Sequence, residues 1–567
     1  PKRGFPTAPP VSQVLLDWWP MLEFRNARAE LVPQAVALVR RLREGGYVAY
    51  FAGGCVRDAL RGAPVKDIDI ATSATPEEVA ALFPSRSVGV GRSFGVMLVT
   101  LGGISYDVAT FRTDGGYQDG RHPESVAYDT AEHDAQRRDF TVNALFYDPL
   151  EERLIDFVGG EADVRAGVLR TVGDPVRRFR EDRLRVLRAV RFAAVCGWRI
   201  DPPTWVALKA EGQLACVSAE RIRTEFLRML CEAPKPSDAL ELLVEGGLLG
   251  QFLPELLALR GCLQDPVWHP EGDVWAHTVR MLDLLPAPRD PSLVWAALLH
   301  DIGKPRALKV GRKPDGSPWY RTPCHAAIGA AMVPDILRRL KESRATIDAV
   351  TAAVRHHMQF AELPRMREAT VRKMLGRPTM PLEMALHRLD CLSSHAKLNL
   401  YELAQAKLAQ YAAEPMLPPP AVGGKDLLAF GFRPGPALGK RLQALYARQL
   451  EGADRGALLA EAMLGAPTDP VRPRRIAFVF APDAPFPLRD LWERLCERPG
   501  WAVTLIVLPG RFWDEPPHPR RRVLRLVGDC AGNVSWDEVG TYDVLLLPDE
   551  PARPPELDAL APSRLRV

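Results

Sequence analysis

The spacing of apolar and polar positions divides the chain into three stretches of different character. Between about 33 and 164 the periods mix. Apolar residues recur with helical spacing over Ala35–Glu44, and a strand pattern follows over Tyr47–Ala52. A turn at Gly53-Gly54 leads to a second strand across Asp67–Ile70, and further β-type runs occupy Val96–Leu101 and Ile104–Phe111. From about 165 to 465 apolar residues return every three or four positions with almost no strand signal, which predicts helices throughout. Proline and glycine cluster at Pro415–Gly424 and Ala466–Pro473 and mark linkers. Beyond them Ile476–Phe480, Ala502–Leu508 and Val544–Leu547 read as buried parallel strands, with a helix at Leu488–Glu497.

The predicted fold class is therefore multidomain α+β. A lead-in (1–32) precedes an α/β head (33–164), a helical neck (165–235), a helical body (236–414), a tail (415–466) and a small Rossmann-like α/β appendage (474–567). At 567 residues the chain is too long for one hydrophobic core. It holds no run of ~18 uncharged apolar residues and no signal-peptide pattern at its start, so a cytoplasmic protein with no membrane partner is expected. The nine cysteines are scattered without a CxxC pair, which points to reduced thiols rather than a disulfide framework or zinc knuckle. Net charge of +4 says little by itself. Its distribution says more: residues 165–228 carry 14 Lys/Arg against 7 Asp/Glu, an excess of 7 that suits a phosphate-binding surface.

Candidate chemistry begins at Gly53-Gly54-Cys55-Val56-Arg57-Asp58, between a strand and a helix. Glycines there let a triphosphate approach backbone N–H groups, and a helix N-terminus favours the anion. Asp67 and Asp69 follow on a strand whose alternation places both carboxylates on one face, close enough to share metal ions. Two divalent ions so held would activate a hydroxyl and stabilise departing pyrophosphate. Asp107, on a neighbouring strand, is a candidate third carboxylate. Arg138, Asp139 and Asn143 offer a cation for phosphate oxygens and two groups for ribose hydroxyls.

In order and spacing, these segments resemble the five motifs of class II tRNA nucleotidyltransferases, the CCA-adding enzymes and their poly(A) polymerase relatives. Gly53-Gly54-x-Val56-Arg57-Asp58…Asp67-x-Asp69 resembles motif A, and Arg137-Arg138-Asp139-x-x-x-Asn143 motif B, the ribose reader. Asp156-x-x-Gly159-Gly160-x-x-Asp163 is similar to motif C, Glu181-Asp182-x-x-Arg185 to motif D, and Glu220-Arg221-x-x-x-Glu225 to motif E, which braces it. The resemblance spans residues 45–230. It implies catalytic, metal-holding roles for Asp67 and Asp69. It also implies nucleotide contacts from Gly53, Gly54, Arg57, Asp58, Arg138, Asp139, Asn143, Glu181, Asp182, Arg185 and Arg188.

Motif D falls in a stretch, Arg178–Ala194, that reads as one helix. A carboxylate accepting from an exocyclic amine and an arginine donating to the adjacent ring nitrogen suit cytosine and adenine alike. Guanine and uracil present the reverse pattern and would leave buried groups unpaired. The resemblance gives this work to Asp182 and Arg185, with Glu181 orienting the arginine. The loop from Arg112 through Asp114 and Arg121 to Val126 resembles the flexible loop of CCA-adding and A-adding members. Arg221 and Lys425 are expected at the tRNA, the latter in a Gly-rich element (Gly424–Gly439) similar to the tail of bacterial members. The expected partners are thus tRNA, ATP and CTP, with Mg2+ in the head.

A second constellation lies in the helical body: His277, His300, Asp301, His325, His356, His357 and Asp390. Leu298-Leu299-His300-Asp301-Ile302-Gly303-Lys304-Pro305 resembles the signature of HD-domain phosphohydrolases. His277 and Asp390 would be outer ligands, and His325 with His356 or His357 would complete a two-metal version. Imidazole and carboxylate donors suit Mn2+, Ni2+, Co2+ or Fe2+ better than Mg2+. Residues 474–567 are faintly similar to the N-terminal half of a CDP-glycerol glycerophosphotransferase-like domain, and a binding, dimerisation or vestigial appendage is expected. The leading expectation is metal-dependent addition of CMP and AMP, or AMP alone, to the 3′ end of tRNA. The alternatives are a poly(A) polymerase and a phosphohydrolase whose head only holds RNA.

Overall fold

The computed structural model describes residues 22–25, 28–84, 87–91, 95–115, 126–413 and 415–466, together with five strands beyond 473. Its contacts form two compact units, one of residues 1–358 and 381–398, the other of 359–380 and 399–567.

In the first unit the opening helix runs Leu31–Glu44, four residues longer at its start than the apolar spacing predicts. It buries Leu31, Ala35, Leu38, Val39 and Leu42, a 3.6-residue stripe laid on a seven-stranded sheet. Across that sheet the order is Ser87–Gly91, Val96–Leu101, Ile104–Thr110, Asp69–Thr72, Ala49–Ala52, Phe146–Asp148, Arg153–Ile155. All neighbours are antiparallel except Asp69–Thr72 beside Ile104–Thr110. Asp67 therefore precedes its strand rather than lying in it. In the parallel register Ile70 faces Val108, which places Asp69 and Asp107 side by side on one face.

The neck departs from prediction at one point. In place of one helix over Arg178–Ala194 there are two, Pro175–Glu181 and Leu184–Cys196. Asp182 between them is extended (φ −143°), and its carboxylate accepts from the backbone N–H of Leu184 at 3.0 Å. An aspartate that offers the backbone this alternative interrupts the helical ladder. Further helices pack as expected through the body, around buried Phe226, Trp295, Leu298 and Leu299. A second departure lies here: Lys309–Arg312 and Pro318–Arg321 form an antiparallel hairpin inside the stretch expected to be helical. The Pro314-Asp315-Gly316 turn, with Gly316 at φ +82°, carries a hairpin signal that the apolar count passes over.

In the second unit Glu368–Leu375 packs on Pro436–Leu450, which packs in turn on Arg455–Leu464. The strands beyond 473 make one parallel sheet ordered Arg521–Arg525, Trp501–Val507, Arg474–Phe480, Val544–Leu547, Arg564–Arg566. This is the Rossmann-like pattern expected, with two more strands than the apolar runs revealed. The expected helix Leu488–Glu497 lies outside the described residues.

Candidate active site and a second candidate metal centre

A cleft of about 900 Å³ opens between head and neck. Its walls carry Gly53, Gly54, Arg57 and Asp58, the acids Asp67 and Asp69, the ribose-reader residues Arg138, Asp139 and Asn143, and Asp182, Arg185 and Arg188. Twelve of the head and neck residues singled out from the sequence thus meet in one place, while Asp107, Arg112, Glu181 and Arg221 are not among the lining residues.

Gly53 ends the strand Ala49–Ala52 at φ +73°, and a β-carbon there would come within 3.0 Å of the Arg138 guanidinium. Behind the turn runs a chain of buried polar contacts. Arg57 clasps Asp58 with two bonds of 2.9 Å and donates to Asn143 Oδ1 at 2.6 Å. Asn143 Nδ2 donates to Asp139 (3.1 Å), whose other oxygen receives Arg188 at 2.6 and 2.8 Å. Burial would raise the Asp139 pKa, but the Arg188 charge and the bond from Asn143 outweigh it and hold the carboxyl at about 2. Both its oxygens are engaged, so Asp139 organises the site rather than offering a free acceptor. Phe192 lies beneath, with the guanidinium carbons of Arg57, Arg188 and Arg191 at 5.0, 5.2 and 4.1 Å from its ring centre.

Asp67 and Asp107 stand near Asp69, with the Arg138 charge offsetting them only in part. Asp69 opens to the cleft, yet desolvation of its carboxyl and the charges of Asp67 and Asp107 push its pKa up to about 6. Carboxylate oxygens brought near one another at this cost suit a hard divalent cation.

In the neck, Glu181 Oε2 accepts from Arg185 at 2.8 Å and from Arg178 at 2.9 Å, while Arg185 also donates to the Arg178 carbonyl at 2.9 Å. Asp182 does not pair with Arg185. It accepts from Arg221 at 2.9 Å instead, which places Arg221 at motif D. Glu225 receives Arg191 at 2.6 Å and ties the next helix to the same cluster. Arg112 lies on the strand Arg112–Asp114, its backbone N–H and carbonyl bonded to Asp134 and Arg137. Arg121 lies outside the described residues, as does the Asp114 side chain. Lys425 is exposed on the helix Gly424–Ala429 of the second unit.

The second candidate centre brings its histidines and aspartates together in two groups, His277, His300 and Asp390, and Asp301, His325 and His357. His300 Nε2 stands 3.1 Å from Asp301, and His277 Nε2 3.2 Å from Asp390. Asp301 also faces His325 (3.4 Å), whose Nε2 lies 3.1 Å from that of His357. One geometric device recurs. His300, His325 and His357 each place Nδ1 against the carbonyl three residues earlier, those of Ala297, Thr322 and Val354, at 2.7–2.9 Å. Nδ1 then carries the proton and Nε2 presents a lone pair inward. The Nε2 atoms of His277 and His300 are buried and face the carboxylates of Asp390 and Asp301. Imidazole nitrogens and carboxylate oxygens brought this close are a donor set that could hold a metal ion.

His357 rather than His356 completes the set. Successive helical residues point about 100° apart, and His356 turns its Nδ1 to within 3.6 Å of Glu383. Sequence reading missed Glu271 and His269. Glu271 accepts from His277 Nδ1 at 2.7 Å and touches His269 at 3.0 Å. The polar run His269-Pro270-Glu271 just before His277 was the available signal. Arg191 and Phe192, one turn past Arg188, were likewise overlooked.

Comparison with known proteins agrees with this layout. A family model of the poly A polymerase head domain matches residues 49–170, one of a probable RNA and SrmB-binding site of polymerase A matches 197–259, and the HD domain matches 274–394. The CCA-adding enzyme of Bacillus licheniformis is 35% identical over 361 residues, covering 60% of this chain and 87% of the relative. That of Latilactobacillus sakei is 31% identical, covering 73% and 92%. The Geobacillus thermodenitrificans enzyme is 45% identical, but that match spans only 39% of this chain and 55% of the relative. Among solved structures, the Bacillus stearothermophilus CCA-adding enzyme in complex with CTP superposes with a TM-score of 0.60 at 29% identity, covering 77% of this chain and 98% of that one.

Proposed function

The chain belongs to the family of CCA-adding enzymes, and from that premise we propose that it adds CMP and AMP, or AMP alone, to the 3′ end of tRNA without a nucleic-acid template. The observation that carries this reading is the pair Asp182 and Arg185. Each is fixed by its own partner, Arg221 and Glu181, and neither is spent on the other. An acceptor and a donor held apart on one cleft wall can meet the amine and adjacent ring nitrogen of C or A.

In this reading the triphosphate approaches the Gly53-Gly54 turn, where Arg57 and Arg138 supply positive charge, and Asn143 stands at the ribose. Asp67, Asp69 and Asp107 would hold Mg2+. When bound, such ions lower the pKa of the attacking hydroxyl and stabilise the leaving pyrophosphate. The buried chain Arg57–Asn143–Asp139–Arg188 keeps these groups in place before substrate arrives, which lowers the cost of orienting it. The expected partners follow: tRNA, ATP and CTP. The Bacillus stearothermophilus relative carries CTP.

The deciding experiment offers purified protein three tRNAs, ending at the discriminator base, at the first C and at the second C, with each NTP separately. Extension of all three in turn identifies a CCA-adding enzyme, and extension of the last alone an A-adding one. A long adenylate tail would mean a poly(A) polymerase. Asp67→Ala should abolish every extension, and undiminished addition would overturn the reading.

A second activity has its own observation: the inward lone pairs of His277 and His300 beside Asp301 and Asp390. With Mn2+, Ni2+, Co2+ or Fe2+ bound, these residues would serve hydrolysis of phosphoesters at RNA 3′ ends.

A further inference from the structure

The hairpin Lys309–Arg321 has no part in the chemistry above, yet the fold places it with care. It is inserted between two ligand segments of the histidine–aspartate centre. Upstream are His300 and Asp301, and downstream the chain leaves the second strand and reaches His325 within four residues. Cys324, directly before His325, takes φ +57°, an uncommon conformation for a residue with a β-carbon. Both stems are thus anchored on metal-ligating residues, while the hairpin itself extends into solvent.

Its surface has an unusual charge arrangement. Lys309 and Arg321 face each other directly across the ladder, and like charges so placed destabilise a hairpin. Neither takes part in an ion pair among the described residues, and both are exposed. Arg312 is exposed one step along, held only by the Gly316 carbonyl at 3.0 Å. On the same face as Lys309 and Arg321, Trp319 pairs with Gly311. A β-carbon at Gly311 would fall 2.4 Å from the indole, so the ring lies flat against the backbone there. The Arg321 guanidinium carbon stands 5.2 Å from the Trp319 ring centre. On the other face Tyr320 pairs with Val310, which is 61% exposed.

Exposed cations beside a seated indole are the elements of a surface for single-stranded nucleic acid: charge for the backbone, and an aromatic ring whose outer face, covered by the Arg321 guanidinium, a base would take in its place. We infer that this hairpin binds the single-stranded 3′ segment of an RNA and delivers its terminal phosphate to the adjacent histidine–aspartate centre. The inference rests on the hydrolytic reading of that centre for its purpose, but not for the binding itself. A protein partner is less suited, because the exposed apolar surface is small and four cations, Lys309, Arg312, Lys313 and Arg321, stand against the single acid Asp315.

The test uses the full chain. A single-stranded RNA of ten nucleotides with 4-thiouridine near a 3′-phosphate end is photocrosslinked, and the modified peptides are mapped. Crosslinks are expected within 309–321. Binding of the same RNA, labelled at its 5′ end, is followed against salt. Lys309→Ala with Arg321→Ala should reduce the slope of log K against log salt by about 1.4, two cations at about 0.7 each. Trp319→Ala should weaken binding at least fivefold, and Trp319→Phe should restore most of it. In all of these variants tRNA extension should stay unchanged, which excludes a folding defect. Should the histidine–aspartate centre prove inactive, crosslinking and salt slope still read the hairpin alone. Crosslinks confined to the head, together with an unchanged salt slope, would overturn the inference. Equal loss with a fully duplex RNA would overturn its single-stranded specificity.

Discussion

At the scale of single residues, the site depends on buried ions whose partners were set before any ligand. Asp139 is the clearest case. Its folded pKa of about 2 lies below the ordinary 3.8, so the carboxylate contributes stability that is present above about pH 4 and lost as pH falls towards 2. The shift corresponds to about 2 kcal/mol. Asp139→Asn should therefore destabilise the protein by about that amount at pH 7, with the gap to the parent narrowing between pH 4 and 2 in urea titrations. Arg221→Ala acts differently. Asp182 would lose its holder, and misincorporation of UTP and GTP in single-turnover assays should rise by about tenfold relative to CTP and ATP. The residue types at these positions and the hold of Glu181 on Arg185 were legible in the sequence; Arg221 as the partner of Asp182 was not. Only the break in the helix at Asp182 turns the acid towards Arg221 and leaves the arginine to Glu181.

At the scale of elements, two close approaches of backbone decide where functional groups stand. Gly303 follows the His300-Asp301 pair, and a β-carbon there would lie 2.2 Å from the His325 carbonyl and 2.6 Å from the Gly329 amide. Those atoms are backbone and cannot rotate aside. Gly303→Ala should force the helix His325–Arg339 away from Asp301, lower the melting temperature by several degrees and reduce bound Mn2+ or Co2+ as counted by elemental analysis. Glu271 offers a gentler probe. It orients His277 through Nδ1, and Glu271→Gln should cost about tenfold or more in metal affinity with little change in stability. Periodicity located most of the helices and five of the seven head strands lie within or beside a predicted run or a motif. What it could not see were interruptions. The hairpin Lys309–Arg321 and the split at Asp182 each depend on one turn or one side-chain bond, and apolar counting averages over both.

At the scale of the whole molecule, two centres with different donor sets share one chain, and that difference is itself testable. The candidate metal donors of the cleft are oxygens, those of Asp67 and Asp69 with Asp107 beside Asp69. The second centre combines His277, His300, His325 and His357 with Asp301 and Asp390. Hard oxygen donors accept Mg2+, whereas imidazole nitrogens favour later first-row ions. Protein stripped with a chelator should recover nucleotide addition with Mg2+ alone. Phosphoester hydrolysis should return only when Mn2+, Co2+ or Ni2+ is supplied. Substitution should divide the activities along the same line: Asp67→Ala removes addition and spares hydrolysis, and Asp301→Ala does the reverse. Recovery of both activities with Mg2+ alone would mean that the histidines do not select the ion. Loss of both on either substitution would mean that the two centres are one functional unit, because each acid would then be needed for chemistry its own donor set cannot perform.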